Sequence, residues 1–335
     1  MKKTTNIILI LLCLAILAGT FFYIGLNDRK PVQDAGKAVN GEVKKTELFH
    51  GEDSFKIKEH IETLLLIGTD SGRSYEEIRN NMEGKITPFY NHIQSDVLVL
   101  LVFDNDAQNV TAIQINRDTM FDVPWTDVLG NYGGTEKKQV ALSYNSGSGL
   151  EDSCKNTCRT VSSLLFDAPV DHYISFTMSG INELNDLVGG VEVNISDDLT
   201  PYDPTLVKGM TVKLKGTQAE SFLRSRMRLT DDDTNNARMR RHRDYFEGFM
   251  QSAREAIEKD ANFTVKAIAR LEPYMLTDMT VQRMSDFVEK LDTYSTGNIK
   301  YVEGELKTTQ FYEFYPDMEQ LWGIVRDTFS EIMSK

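Results

Sequence analysis

The stretch Thr63-Leu-Leu-Leu-Ile-Gly-Thr-Asp-Ser71 decides the architecture. It is a short continuous apolar run closed by Gly68, and a run of that length bounded by a turn signal reads as a buried strand. Beyond it, Ser95-Asp-Val-Leu-Val-Leu-Leu-Val-Phe-Asp104 and Val110-Thr-Ala-Ile-Gln-Ile-Asn-Arg-Asp118 read as paired strands joined around Asp104-Asn105-Asp106. Val188-Gly-Gly-Val-Glu-Val-Asn-Ile195 reads as a returning strand, and a last one is expected near Ile299-Lys-Tyr-Val302. Helical patterns cover residues 151–166, 178–187, 217–226, 237–257, 264–271, 281–292 and 318–333, with Thr234 or Asn235 capping the fourth. Interleaved strands and helices specify an α/β domain, a mixed central sheet flanked by helices. It is predicted to occupy residues 59–335 with its core at 60–257, long enough to bury a substantial interior.

Residues 1–6 carry Lys2 and Lys3, and residues 7–26 contain no charge at all. At 1.5 Å per residue such a run matches a hydrocarbon core of about 30 Å, so it reads as one transmembrane helix. A cleaved signal peptide would have a shorter apolar region ending in a small-x-small site. Lysines on a very short N-terminal side put the N-terminus inside and the remainder outside the cell. Residues 27–58, polar and punctuated by Pro31, Gly36, Gly41 and Gly51, read as a linker. The chain has a formal net charge of −13, and residues 1–26 hold only those lysines, so the exported part is more acidic still. That balance, on that side of a membrane, excludes nucleic acid as a partner.

Besides Cys13 in the apolar run there are two cysteines, Cys154 and Cys158, within Glu-Asp-Ser-Cys-Lys-Asn-Thr-Cys-Arg. On a helix they share a face with Cβ atoms about 5–6 Å apart, close to disulfide geometry without matching it. A short-loop disulfide is predicted; a metal pair is the weaker reading, because His172 is the one histidine nearby.

Charged residues mark the ends of the apolar strands. Asp70 follows the first, Asp96 opens the second, and Arg117 and Asp118 close the third. Ligand sites in open α/β sheets gather at strand ends, although any one such Asp is also an ordinary turn residue. A second charged feature is Arg224 to Arg243, in which seven of twenty residues are arginine. Runs of this kind are commonly solvated faces laced to nearby acids, and Asp231, Asp232 and Asp233 are at hand; a bound polyanion is the alternative.

Taken in order, Leu64-Leu-Leu-Ile-Gly-Thr-Asp-Ser71, Ser95-Asp96, Arg117-Asp118-Thr119, Asp186-Leu-Val-Gly-Gly-Val-Glu-Val193, Gly216-Thr-Gln-Ala219, Arg224-Ser-Arg226 and the Arg238-to-Arg241 segment resemble the LytR-CpsA-Psr proteins of Gram-positive cell envelopes. The likeness covers residues 60–257 and follows a single N-terminal anchor, as in that family. It implies a transferase that moves a glycopolymer, such as a teichoic acid or capsular polysaccharide, from an undecaprenyl diphosphate carrier onto peptidoglycan at the outer face of the cell membrane. By matching position, Arg117, Arg224, Arg226 and Arg238 are implied as the diphosphate clamp, with Asp70 and Asp96 as the acidic pair beside a Mg²⁺. The chemistry agrees. Phosphoryl transfer asks a protein for positioning and charge stabilisation, arginine offers planar two-point contacts to phosphate, and Mg²⁺ takes one or two carboxylates. Asp70, Asp96 and Arg117 form the implied catalytic group, with the roles of base and metal ligand open between the two carboxylates. A tunnel for the prenyl chain is implied too, with residues 161–166 and 173–181 able to line it and equally able to be core.

Three positions depart from the family pattern. Gln94 stands where Arg is common, Asn116 where Pro is common, and His242 where Gln is usual. Arg73 is the cation near enough in sequence to compensate for the first. His242 shares a helical face with Arg238 and can offer a hydrogen bond when neutral or a charge when protonated. The same site would also allow hydrolysis of the lipid diphosphate, or binding of it without catalysis.

Overall fold

The structure, a computed structural model of the chain, describes residues 46–82, 93–127, 129–225, 270–308 and 311–330, with scattered positions from 241 to 266. The expected transmembrane segment at 7–26 and most of the expected linker lie outside these residues. No helix among the described residues is long and apolar enough to cross a membrane.

Folded structure starts earlier than the linker reading allows. Strands β1 (Glu47–His50) and β2 (Asp53–Lys56) form an antiparallel hairpin, and Leu48 and Ile57 are buried. The hairpin turns few residues inward, and Phe49 points to solvent, so no apolar period announces it. Next come β3 (Ile61–Thr69), α1 (Tyr75–Met82), β4 (Ser95–Asp104) and β5 (Asn109–Ile115). Ser74 and Glu77 cap α1 reciprocally: the Ser74 N–H donates to Glu77 Oε2 (2.8 Å) and the Glu77 N–H to Ser74 Oγ (3.1 Å), a capping box. A second hairpin, β6 (Met120–Thr126) and β7 (Tyr132–Gln139), leads through a 3₁₀ turn (Val140–Ser146) into α2 (Leu150–Leu164). The chain continues as β8 (His172–Thr177), α3 (Gly180–Leu187), β9 (Val191–Asn194), β10 (Thr211–Leu214) and α4 (Gln218–Arg224). It closes with β11 (Met275–Thr277), α5 (Val281–Thr293), β12 (Ser295–Tyr301), the hairpin β13 (Gly304–Thr308) and β14 (Tyr312–Pro316), and α6 (Met318–Phe329).

The central sheet has six strands in the order β11-β8-β3-β4-β5-β12. It is mixed, as expected: β3 is antiparallel to β4 and parallel to β8, β4 is antiparallel to β5, and β12 runs parallel to β5. Strand side chains alternate between faces, and each face builds its own core. Leu65, Ile67, Leu98, Leu100 and Val102 pack with α2 and α6 on one side; Leu64, Leu101 and Phe103 pack with α3, α4 and α5 on the other. Val161, Leu164, Leu165, Tyr173 and Ile174, from the stretches that could have lined a tunnel, are buried in these cores.

The strand expected within residues 188–195 is present as β9, which pairs with β10 outside the central sheet. Gly190, with φ of +96°, turns the chain so closely that a Cβ would lie 2.7 Å from the Leu214 carbonyl oxygen. One expectation needs correction, the disulfide: Cys154 and Cys158 are both free and buried in α2. A regular helix holds such a pair about 5–6 Å apart at Cβ, whereas a disulfide needs about 3.5–4.5 Å. Cys154 Sγ instead donates to the Tyr144 hydroxyl (3.7 Å), and burial pushes its thiol up to about 12.

Candidate active site

Three strand ends meet on one edge of the sheet. Thr69 ends β3, Ser95 begins β4 and Ile115 ends β5, so the residues just beyond them are brought side by side. The β3/β4 pairing runs regularly as far as Gly68 opposite Val97, then places Thr69 opposite Ser95. Asp96 is therefore the extra residue of a β-bulge, a feature that re-aims a side chain and recurs beside functional sites. Gly68 makes the bulge possible, since a Cβ there would sit 2.9 Å from Val97 Cβ. On the other side Leu98 lies opposite Ile115, and two further residues along that register bring Asp96 to Arg117.

The contacts follow this geometry. Arg117 Nη1 donates to Asp96 Oδ1, Nη2 donates to Gln94 Oε1 at 2.5 Å, and Nε lies 3.4 Å from Asp118 Oδ1. Asp70 is tied in through the backbone of Gln94: its N–H donates to the Gln94 carbonyl (3.0 Å), and its Oδ1 accepts from the Gln94 N–H (2.8 Å). The Arg117 and Asp96 side chains are 14% and 19% exposed, dry enough to strengthen their attraction and open enough to meet a ligand. Asn116 Oδ1 accepts from the Asp118 N–H (3.0 Å), so asparagine shapes this turn by an Asx bond. The Arg117 carbonyl accepts from Ala141 N (3.0 Å), which anchors the 3₁₀ turn beneath it.

Arg73 is exposed, and its side chain stands outside this hydrogen-bonded cluster. Arg224 is the last residue of α4; its side chain, and Arg226, Arg238 and His242 altogether, lie outside the described residues. The course of α4 is informative nonetheless. The Glu220 N–H donates to Asn182 Oδ1 (3.2 Å) and the Gly216 N–H to Asp186 Oδ1 (2.8 Å), so α4 runs antiparallel to α3. The chain entering α3 is held at the Asp70 edge, Ser179 N–H donating to the Ser71 carbonyl (3.2 Å). The end of α4 that carries Arg224 thus heads toward the same edge.

One arginine of the basic segment has a structural role that composition could not reveal. Arg241, 1% exposed, donates from Nε to the Phe222 carbonyl (2.9 Å), from Nη1 to Asp197 Oδ2 (2.7 Å) and from Nη2 to the Ser225 carbonyl. It caps buried carbonyls at the end of α4, where a cation is favoured.

The class of protein is thus a mixed α/β sheet that gathers Asp70, Asp96, Asp118 and Arg117 at one strand edge. The sequence match is more specific: residues 27–328 match the LytR_cpsA_psr family, and the chain belongs to it. The polyisoprenyl-teichoic acid–peptidoglycan teichoic acid transferase TagU of Enterococcus faecalis is 26% identical over 253 residues, 75% of this chain and 71% of that protein. Among solved structures, a Streptococcus agalactiae protein superposes with a TM-score of 0.56 at 19% identity, covering 82% of this chain and 91% of that one. TagT bound to LI-WTA superposes with a TM-score of 0.54 at 16% identity, covering 89% and 98%. These structural likenesses bear on the fold alone.

Proposed function

We propose that this protein transfers a glycopolymer from an undecaprenyl diphosphate carrier to peptidoglycan, as a membrane-anchored enzyme working on the extracytoplasmic face of a Gram-positive-type envelope. The observation that carries the reading is the Asp96–Arg117 pair beside Asp70 at one strand edge, in a chain whose relative TagU is named as a teichoic acid transferase. An acceptor sugar hydroxyl attacks the phosphorus that bears the glycopolymer, forming a new P–O bond. The P–O bond to the polyprenyl phosphate breaks, and that group leaves with the electron pair. Arg117 binds the diphosphate oxygens and stabilises the departing charge, with Arg224, Arg226 and Arg238 completing the clamp. One carboxylate of Asp70 and Asp96 accepts the hydroxyl proton.

The same two carboxylates suit Mg²⁺. They are oxygen donors, and each has a second oxygen beyond the bonds described above. Mg²⁺ commonly takes one or two carboxylates and completes its shell with phosphate oxygens and water. When bound, the ion neutralises charge on the phosphate oxygens.

The test is incubation of the full chain in detergent with a synthetic polyprenyl diphosphate-linked sugar and peptidoglycan fragments, with and without Mg²⁺, read by mass spectrometry. Metal-dependent attachment with release of polyprenyl phosphate is expected. Release without attachment, across several acceptors, would make the protein a hydrolase; binding with neither product would make it a non-catalytic lipid-phosphate binder.

A further inference from the structure

We infer that Gln94 is a positioning residue for Arg117, an acceptor that orients the guanidinium toward the phosphate without neutralising it; the inference rests on the transferase reading above. Gln94 is the point where the cluster is joined. Its backbone N–H and carbonyl are both bonded to Asp70, while its side-chain oxygen accepts from Arg117 Nη2 at 2.5 Å. The acceptor must be the amide oxygen, because a guanidinium only donates.

The chemistry of an amide at this position is distinctive. Asp96 already holds Nη1, and Asp118 lies against Nε. A third carboxylate at position 94 would fix the guanidinium equally well but would leave the site poorer in the positive charge a diphosphate needs. A neutral side chain with a carbonyl of this reach satisfies the third edge of the guanidinium and adds no charge of its own. Gln94 thus accounts for how this chain works without an arginine at that position, a task for which Arg73, exposed and outside the cluster, is not placed.

The test uses Gln94→Leu and Gln94→Glu in the full chain in detergent, with kcat and KM for a polyprenyl diphosphate-linked sugar. Leucine removes the acceptor but keeps the backbone bonds to Asp70, so the melting temperature stays near wild type. It is expected to lower kcat about 10–100-fold, the scale of a lost hydrogen bond to a charged group. Glutamate restores an acceptor: kcat recovers to within about threefold of wild type while KM for the donor rises, since its added charge opposes the diphosphate. In an Arg117→Lys background the leucine change is expected to cost much less, as contact between the two residues requires. Wild-type kinetics in Gln94→Leu, or equal loss in the leucine and glutamate variants, would overturn the inference. Should the wild-type protein turn over no such donor, the transferase reading fails by itself. Crystal structures of wild type and Gln94→Leu then decide: Arg117 bonded to Gln94 in one and displaced in the other supports the positioning role, and an unmoved Arg117 ends it.

Discussion

The two ends of β3 handle charge in opposite ways. Near its start, Glu62 accepts from Arg283 Nη2 (2.7 Å) and from Lys290 on α5. Arg283 Nε also donates to His172 Nε2 (3.4 Å), and His172 Nδ1 lies 3.5 Å from Asp278 Oδ2. Nearby, Lys58 Nζ donates to Asp104 Oδ2 (2.8 Å). Each carboxylate in this group has a cation or an imidazole against it. At the far end, among the described residues, Asp96 and Asp118 lie against the guanidinium of Arg117, and Asp70 is joined to it through Gln94. The first arrangement is closed on itself; in the function proposed above, the second is completed by a divalent cation and a phosphate. In a sequence both look alike, as charges at the ends of apolar strands. Charge balance in three dimensions separates them.

The sharpest way to break this comparison is at the open end. Arg117→Ala or Asp96→Ala is expected to lower transfer about 10²–10³-fold, the scale of removing one preorganised charge-stabilising group. The fold should stay intact with some loss of stability, because each substitution takes a bonding partner from a largely buried side chain. Wild-type transfer in either variant would remove that residue from the site. Gly68→Ala comes next. The new Cβ meets Val97 Cβ at 2.9 Å, and overpacking of this kind costs about 1–3 kcal/mol. Because the collision lies at the bulge, activity should fall along with thermal stability, and a second change, Val97→Ala, should restore part of both. Loss of stability with full activity would show that the bulge does not set the position of Asp96.

The fold was legible where burial imposes a period. Leu64 to Ile67 and Val97 to Phe103 had to be strands, and the apolar stripe of α2, with Leu150, Cys154, Cys158 and Val161 on one face, had to be a helix. The three hairpins were not legible. Residues 47–56, 120–139 and 304–316 turn few side chains inward, and cross-strand pairing leaves little trace in composition. Of the site, Asp70, Asp96 and Arg117 could be named because they interrupt apolar runs. That Asp96 sits on a bulge, and that Gln94 joins Asp70 to Arg117, are consequences of register, which depends on partner strands. Cys154 and Cys158 failed for the reverse reason: their spacing was visible, while the rigidity of a buried helix was not.

At the closed end the expected effects are smaller and fall on stability. Burial works against the charge of Glu62, but hydrogen bonds from Lys290 and Arg283 outweigh it and bring the carboxyl from its ordinary 4.5 down to about 2. A carboxyl lowered on folding contributes stability that is fully present above its unfolded value and is lost as pH falls through its folded one. Glu62 therefore supports the fold above about pH 4.5 and ceases to do so progressively toward pH 2. Glu62→Gln leaves Arg283 and Lys290 facing a neutral amide, at a cost of about 1–3 kcal/mol near neutral pH, the range for a partly buried polar group deprived of its partner. Transfer activity should be untouched, because β3 separates Glu62 from Asp70 by seven intervening residues. Denaturant melts from pH 7 down to pH 2.5 should show the wild type losing most of its advantage as the medium becomes acidic. Parallel curves would mean that the Glu62 network is neutral in energy, and a loss of activity would mean that the two ends of the sheet are coupled.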